Sequence, residues 1–189
     1  MRMILGLTVV LMLFMGMIGI GSWSYFTDLE TSAGNPLQAG ILDLKTDDVD
    51  GVTQTIYVTN MKRGDSVSGN ITLKNTGTMD GSTLDIVFSY IENDDSPNLV
   101  NMDADATAAL LEVTALNYDG SSLLSSVSDS NLNGYKDVED LKNADLTGLS
   151  GLNTLDSKDF EITVKLKETT HNDFQGDGIT LTITFVLIQ

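Results

Sequence analysis

Near its C-terminus the chain reads Ile179-Thr180-Leu181-Thr182-Ile183-Thr184-Phe185-Val186-Leu187, and this stretch decides the fold. Apolar residues and threonines alternate with a period of two, which a strand sorts into one buried and one polar face and a helix would scatter around its surface. Phe160-Glu161-Ile162-Thr163-Val164-Lys165-Leu166-Lys167 repeats the pattern. Upstream, Gly40-Ile41-Leu42-Asp43-Leu44, Thr55-Ile56-Tyr57-Val58, Asn70-Ile71-Thr72-Leu73 and Leu84-Asp85-Ile86-Val87-Phe88 are short runs rich in β-branched residues and bounded by Gly, Asn or Asp, as strands are. Leu110 to Tyr118, entering Asp119-Gly120 and then Leu123-Leu124, reads as a further strand and a turn. Only Asp137 to Leu146 has a helical apolar side, formed by Val138, Leu141 and Leu146; a single helical turn fits near Ala104 to Leu111. Short strands with one inserted helix predict an all-β protein, an antiparallel sandwich of jelly-roll or Greek-key type.

The chain has 189 residues, room for one domain of ordinary size. Its 10 Lys and Arg against 27 Asp and Glu give a net charge of −17. Such a surface repels nucleic acid and anionic lipid headgroups, so neither is expected as a partner, and no motif points to a small-molecule substrate. There is no cysteine. Disulfides, thiolate metal sites and thiol catalysis are therefore excluded, and stability must come from burial, sheet pairing, a metal ion or neighbouring subunits.

From Met3 to Ile20 the sequence is apolar and uncharged, preceded only by Met1-Arg2. Ser22-Trp23-Ser24 then places small residues at the −3 and −1 positions of a cut before Tyr25, the small-x-small pattern that signal peptidases accept. Residues 1–24 are thus expected to be a signal peptide and the protein to be exported. The alternative is a retained anchor, because the run approaches the ~20 residues that span a bilayer; membrane contact is expected only through such an uncleaved leader. Residues 38–189 are expected to form the sandwich, with an insertion at about 92–155.

The sharpest local motif is Asp129-Ser130-Asn131-Leu132-Asn133-Gly134-Tyr135-Lys136-Asp137-Val138-Glu139-Asp140. A twelve-residue calcium loop supplies about six or more oxygens from positions 1, 3, 5, 7, 9 and 12, with Gly at 6 for the turn. Those positions hold Asp129, Asn131, Asn133, the Tyr135 carbonyl, Asp137 and Asp140, with Gly134 at the sixth. A structural Ca²⁺ is expected there; the alternative is a plain Asn/Gly-rich turn. With Asp140 in place of the usual Glu, the stretch resembles the calcium loops of dockerin modules, although those come in pairs and this chain has one.

Gly21-Ser22-Trp23-Ser24-Tyr25-Phe26-Thr27-Asp28, followed by Gly40-Ile41-Leu42-Asp43-Leu44, resembles the TasA/camelysin family of biofilm-matrix proteins, in which a G-[TS]-W-x-x-F-x-D stretch spans the cut and a G-x-L-D-L strand follows. Asn60-Met61-Lys62-Arg63-Gly64-Asp65, Asn75-Thr76-Gly77 and Gln175-Gly176-Asp177 match further blocks in the family's order. The stretch from Glu92 to Leu155 does not align with the family. The resemblance implies a jelly-roll subunit that polymerises head to tail into extracellular fibres, with itself and other matrix proteins as partners. It also implies that the mature N-terminal segment, within Tyr25 to Leu37, is donated to the next subunit, with Phe26 and Leu29 as anchors. An ordinary first edge strand is the simpler reading of the same residues.

Camelysin-type proteins have also been classed as metallopeptidases, whose zinc needs two or three His or carboxylate ligands and a general base. The chain has one His, His171, in a loop-like stretch, and no catalytic residue is assigned. Asn70-Ile71-Thr72 is a glycosylation sequon that matters if the protein is exported and Asn70 faces solvent. The sequence thus points to an exported, non-enzymatic building block, with a monomeric or membrane-tethered surface protein as the alternative and a secreted metallopeptidase behind both.

Overall fold

A computed structural model describes residues 42, 44–47, 49–50, 53–58, 61–94, 101–168, 174 and 176–189. The leader, the cut at Ser22, Ser24 and Tyr25, the anchors Phe26 and Leu29, and His171 lie outside them. The strands are β1 (Leu44–Thr46), β2 (Val49–Asp50), β3 (Thr53–Val58), β4 (Ser66–Asn75), β5 (Thr83–Glu92), β6 (Leu111–Tyr118), β7 (Ser121–Ser122), β8 (Leu146–Ser150), β9 (Ser157–Leu166) and β10 (Ile179–Ile188). Two short helices, α1 (Ala104–Ala108) and α2 (Val138–Leu141), and a 3-10 turn at Leu124–Ser126 complete the described chain.

The strands form a six-stranded sheet in the order β2-β1-β4-β9-β6-β7 and a four-stranded sheet in the order β3-β10-β5-β8. All pairings are antiparallel. From β3 onward the chain changes sheet at every step except the β6–β7 hairpin. That hairpin turns on Asp119 (φ 50°) and Gly120 (φ 72°), two left-handed residues whose twist matches the flanking strands.

Period-two alternation does what it implies. In β10, Ile179, Leu181, Ile183, Phe185 and Leu187 are buried, and in β9, Phe160, Ile162, Val164 and Leu166 are. Burial of such side chains contributes about 1.5–3 kcal/mol each. Phe160 of the six-stranded sheet joins the two layers, its ring centroid 6.4 Å from Phe88 and 5.2 Å from Phe185 of the other sheet. One continuous core results.

One expectation changes. The helix read as Asp137 to Leu146 is only Val138–Leu141, because Leu146 instead opens β8, buried opposite Ile86. The stretch at about 92–155 supplies β6, which runs along β9, and β8, which runs along β5.

Candidate functional site

The loop from Asp129 to Asp140 lies along the outer side of β6. The Val113 amide donates to the Lys136 carbonyl at 2.7 Å, Glu112 bridges Asp137, and the Leu123 amide donates to the Leu116 carbonyl at 2.8 Å. The Lys136 ammonium donates to the Leu124 carbonyl at 2.5 Å. Backbone groups that β7 is too short to reach are thereby paired, as a sheet edge requires when it is not left to solvent.

Inside the loop, side chains replace secondary structure. Asp129 accepts from the amides of Asn133 (3.1 Å) and Gly134 (2.9 Å). Asn131 Oδ1 accepts from the Asn133 amide and Asn133 Oδ1 from the Tyr135 amide. Gly134 has φ +87°, a left-handed conformation that glycine adopts without cost. Asn133 Nδ2 donates to Asp137 at 2.6 Å, and Asn131 Nδ2 to Glu139 at 2.8 Å.

The helix α2 begins on a reciprocal cap. The Asp140 amide donates to Asp137 Oδ1 at 3.3 Å and the Asp137 amide to Asp140 Oδ2 at 3.1 Å. This is the capping-box arrangement with two aspartates. Burial pushes the Asp140 carboxyl up, but hydrogen bonds from the Ser130 hydroxyl and amide, and from backbone amides at Asp137 and Asn131, outweigh it and hold the group below the ordinary carboxylate range.

Asp137 is fully buried and meets Lys167, whose ammonium lies 3.2 Å from Oδ2. The same ammonium donates to the Ala109 carbonyl at 2.6 Å and sits 4.2 Å from the centroid of the Tyr135 ring. Sequence reasoning missed Lys167 because it falls on the polar phase of the alternating run, where nothing separates it from an ordinary solvent-facing lysine. Ser130 and Glu139 were missed too, as residues at non-ligand positions of the loop.

Five of the six predicted ligands, the side chains of Asp129, Asn131, Asn133, Asp137 and Asp140, are therefore linked through one loop and hydrogen-bonded within the protein. Among the described residues no three His, Cys, Asp or Glu side chains are gathered as a metal-binding group. Asn70 is exposed on the outer face of β4.

A model of the camelysin metallo-endopeptidase family matches residues 2–189. The chain belongs to that family. No curated protein matches it.

The family name implies a hydrolytic metal, and the described residues of this camelysin-family chain do not fit one. The two buried loop carboxylates are committed to the helix cap, to Ser130 and to Lys167, and a lysine ammonium against Asp137 opposes a second cation there. No catalytic step is derived from them. Among the described residues no helix is long and apolar enough to cross a membrane.

Proposed function

We propose that the chain is an exported structural subunit of extracellular fibres or of a biofilm matrix, polymerising with other copies of itself by donating a strand from Tyr25 to Leu37. The observation that carries this reading is how the six-stranded sheet ends beside β4: β1 pairs with it only over Leu73 to Asn75 and β2 beyond has two residues, so that among the described residues β4 reaches past its neighbour. A strand edge of this kind is a template for one more strand. The donated segment has Phe26 and Leu29 to bury, while Gly34 and Pro36 make it a poor strand for its own sheet. Export follows from the leader, with processing after Ser24, and family membership supports both steps.

A structural Ca²⁺ in the Asp129–Asp140 loop belongs to the same proposal. The support is the ring of Asp and Asn oxygens around a left-handed Gly134. Uptake of the ion requires Asn131 and Asn133 to turn their amide oxygens toward it and the Lys167 ammonium to leave Asp137.

Deleting Tyr25 to Leu37 tests the reading: the expected product is a folded, soluble subunit seen by negative stain as isolated particles. Fibres of normal length from the truncated chain would overturn strand donation. The family's name favours a second reading, a secreted metallopeptidase, for which casein hydrolysis by the purified chain, lost on chelation, is the required result.

A further inference from the structure

We propose that Asn133 is the site of a self-catalysed deamidation, in which the Gly134 amide nitrogen attacks the Asn133 side-chain carbonyl, ammonia leaves, and water opens the resulting cyclic imide to a carboxylate.

The sequence favours this reaction at one place. The imide forms when the backbone nitrogen after an asparagine reaches its Cγ, and a side chain on that next residue obstructs the approach. Asn133 is the one asparagine of the chain that is followed by glycine. Both residues are exposed, and a β-carbon on Gly134 would have nothing within 4 Å. The ring therefore has room to close, and water can reach it.

Each reacting atom already meets a group suited to it. The nucleophilic Gly134 N–H donates to Asp129 Oδ2 at 2.9 Å, so a carboxylate stands ready to take its proton during attack. The Asn133 amide donates to the other oxygen, Oδ1, at 3.1 Å, which holds Asp129 at the reacting peptide. Asn133 Oδ1, where negative charge develops, accepts the Tyr135 amide at 3.0 Å. The leaving nitrogen, Asn133 Nδ2, donates to Asp137 Oδ2 at 2.6 Å, and the buried Lys167 ammonium lies 3.2 Å from that same oxygen. Base, oxyanion donor and acid are thus positioned around one amide before it reacts.

The bond between Gly134 N and Asn133 Cγ forms as the Cγ–Nδ2 bond breaks. The Gly134 proton passes to Asp129, and the departing ammonia takes one from Lys167 through Asp137; water returns the first proton to Lys167. Water then adds to either imide carbonyl and leaves an aspartate in normal or isoaspartyl linkage. The sum is one water consumed and one ammonia released, with no change of oxidation state. In the product a carboxylate faces Asp137 where an amide donor stood, so repulsion replaces a hydrogen bond. The loop's hold on β6, through the Val113 amide and the Lys136 carbonyl, then weakens as the protein ages.

Peptide mapping by mass spectrometry tests this on the full chain, incubated near neutral pH in heavy-oxygen water with a chelator so that no cation occupies the carboxylates. The label is expected at residue 133, appearing about tenfold or more faster in native protein than in the same chain unfolded in guanidinium chloride. Asp129→Asn keeps a hydrogen-bond acceptor but is a poor base, and it should bring the native rate down toward the unfolded one. The proposal is overturned if Asn133 survives in native protein as long as in the unfolded chain or longer, a comparison that needs no variant to fold. It is equally overturned if folded Asp129→Asn converts at the unaltered rate. Amide exchange at Val113 should be faster in the converted protein, and equal protection in both forms would overturn the loosening of the loop.

Discussion

The two long sides of the six-stranded sheet are finished differently. On the β6 side, a two-residue hairpin strand is supplemented by the Asp129–Asp140 loop, which places Lys136 and Asp137 against Val113 and Glu112. On the β4 side, the β1–β2 hairpin stops at Asp47, and the ladder from Ser66 to Asn70 runs on without a partner among the described residues. A calcium-like motif in sequence thus acts in the fold as an edge cover.

The largest expected effect is on the covered side. Lys167→Ala strips Asp137 of its buried ammonium and leaves an uncompensated charge, for which a loss of about 3–5 kcal/mol is expected. Urea denaturation measures it. Amide exchange at Val113 should rise with it, while the Gly64 amide, bonded at the start of β4, should lose no more than the global change. Equal local losses at both positions would show that the two sides are not independent.

Calcium sharpens the same side. At a concentration about one hundred times its dissociation constant, an ion bound only by the native loop adds roughly 2.7 kcal/mol. A rise in melting temperature on adding Ca²⁺, reversed by chelation and absent from Asp129→Ala, Asp140→Ala, is the expected outcome. An unchanged transition means that the hydrogen bonds and Lys167 hold the loop without an ion.

On the open side, Gly64 has φ +81°, and a β-carbon there meets only the Glu168 side chain, at 3.5 Å. Gly64→Ala therefore costs backbone strain and not a clash, about 1–2 kcal/mol for an L residue in the left-handed region. The denaturation midpoint should fall accordingly, and Val113 exchange relative to the global value should not change.

Much of this was legible in the sequence, for a physical reason. Period-two alternation in β9 and β10 reports burial directly, and Asp119-Gly120 announces its turn because both residues tolerate positive φ. The end of α2 was not legible. Leu146 continues a helical apolar pattern but is recruited by Ile86 of β5, a partner distant in the chain. The loop residues were found by spacing, yet Lys167, which meets Asp137, lies just past β9 and is held by the Ala109 carbonyl just past α1, and no local pattern encodes such a meeting. Where β1 stops along β4 was equally hidden, since it depends on Asp47 taking the Thr72 amide.

The smallest effect expected lies at the end of β6, where Tyr118 ties the covered side to the other sheet by donating to the Ser150 carbonyl at 2.7 Å. Burial, and then the Asp119 charge, push its phenol above the ordinary tyrosine range. Tyr90 is raised as well, by burial and then by its bond to Asp105. Because the folded protein keeps these protons when the unfolded chain has lost them, the unfolded state binds fewer protons above about pH 10. Stability is then fully present below that pH and falls as pH rises toward the folded value. Absorbance titration of native protein should show two phenols ionising late, and Tyr118→Phe should remove one of them at a cost of about 1 kcal/mol for the lost hydrogen bond. Its stability should also decline less steeply above pH 10 than that of the unaltered chain. If the two slopes are the same, the Tyr118 bond does not couple the β6 side to β8, and the covered edge is held by its loop alone.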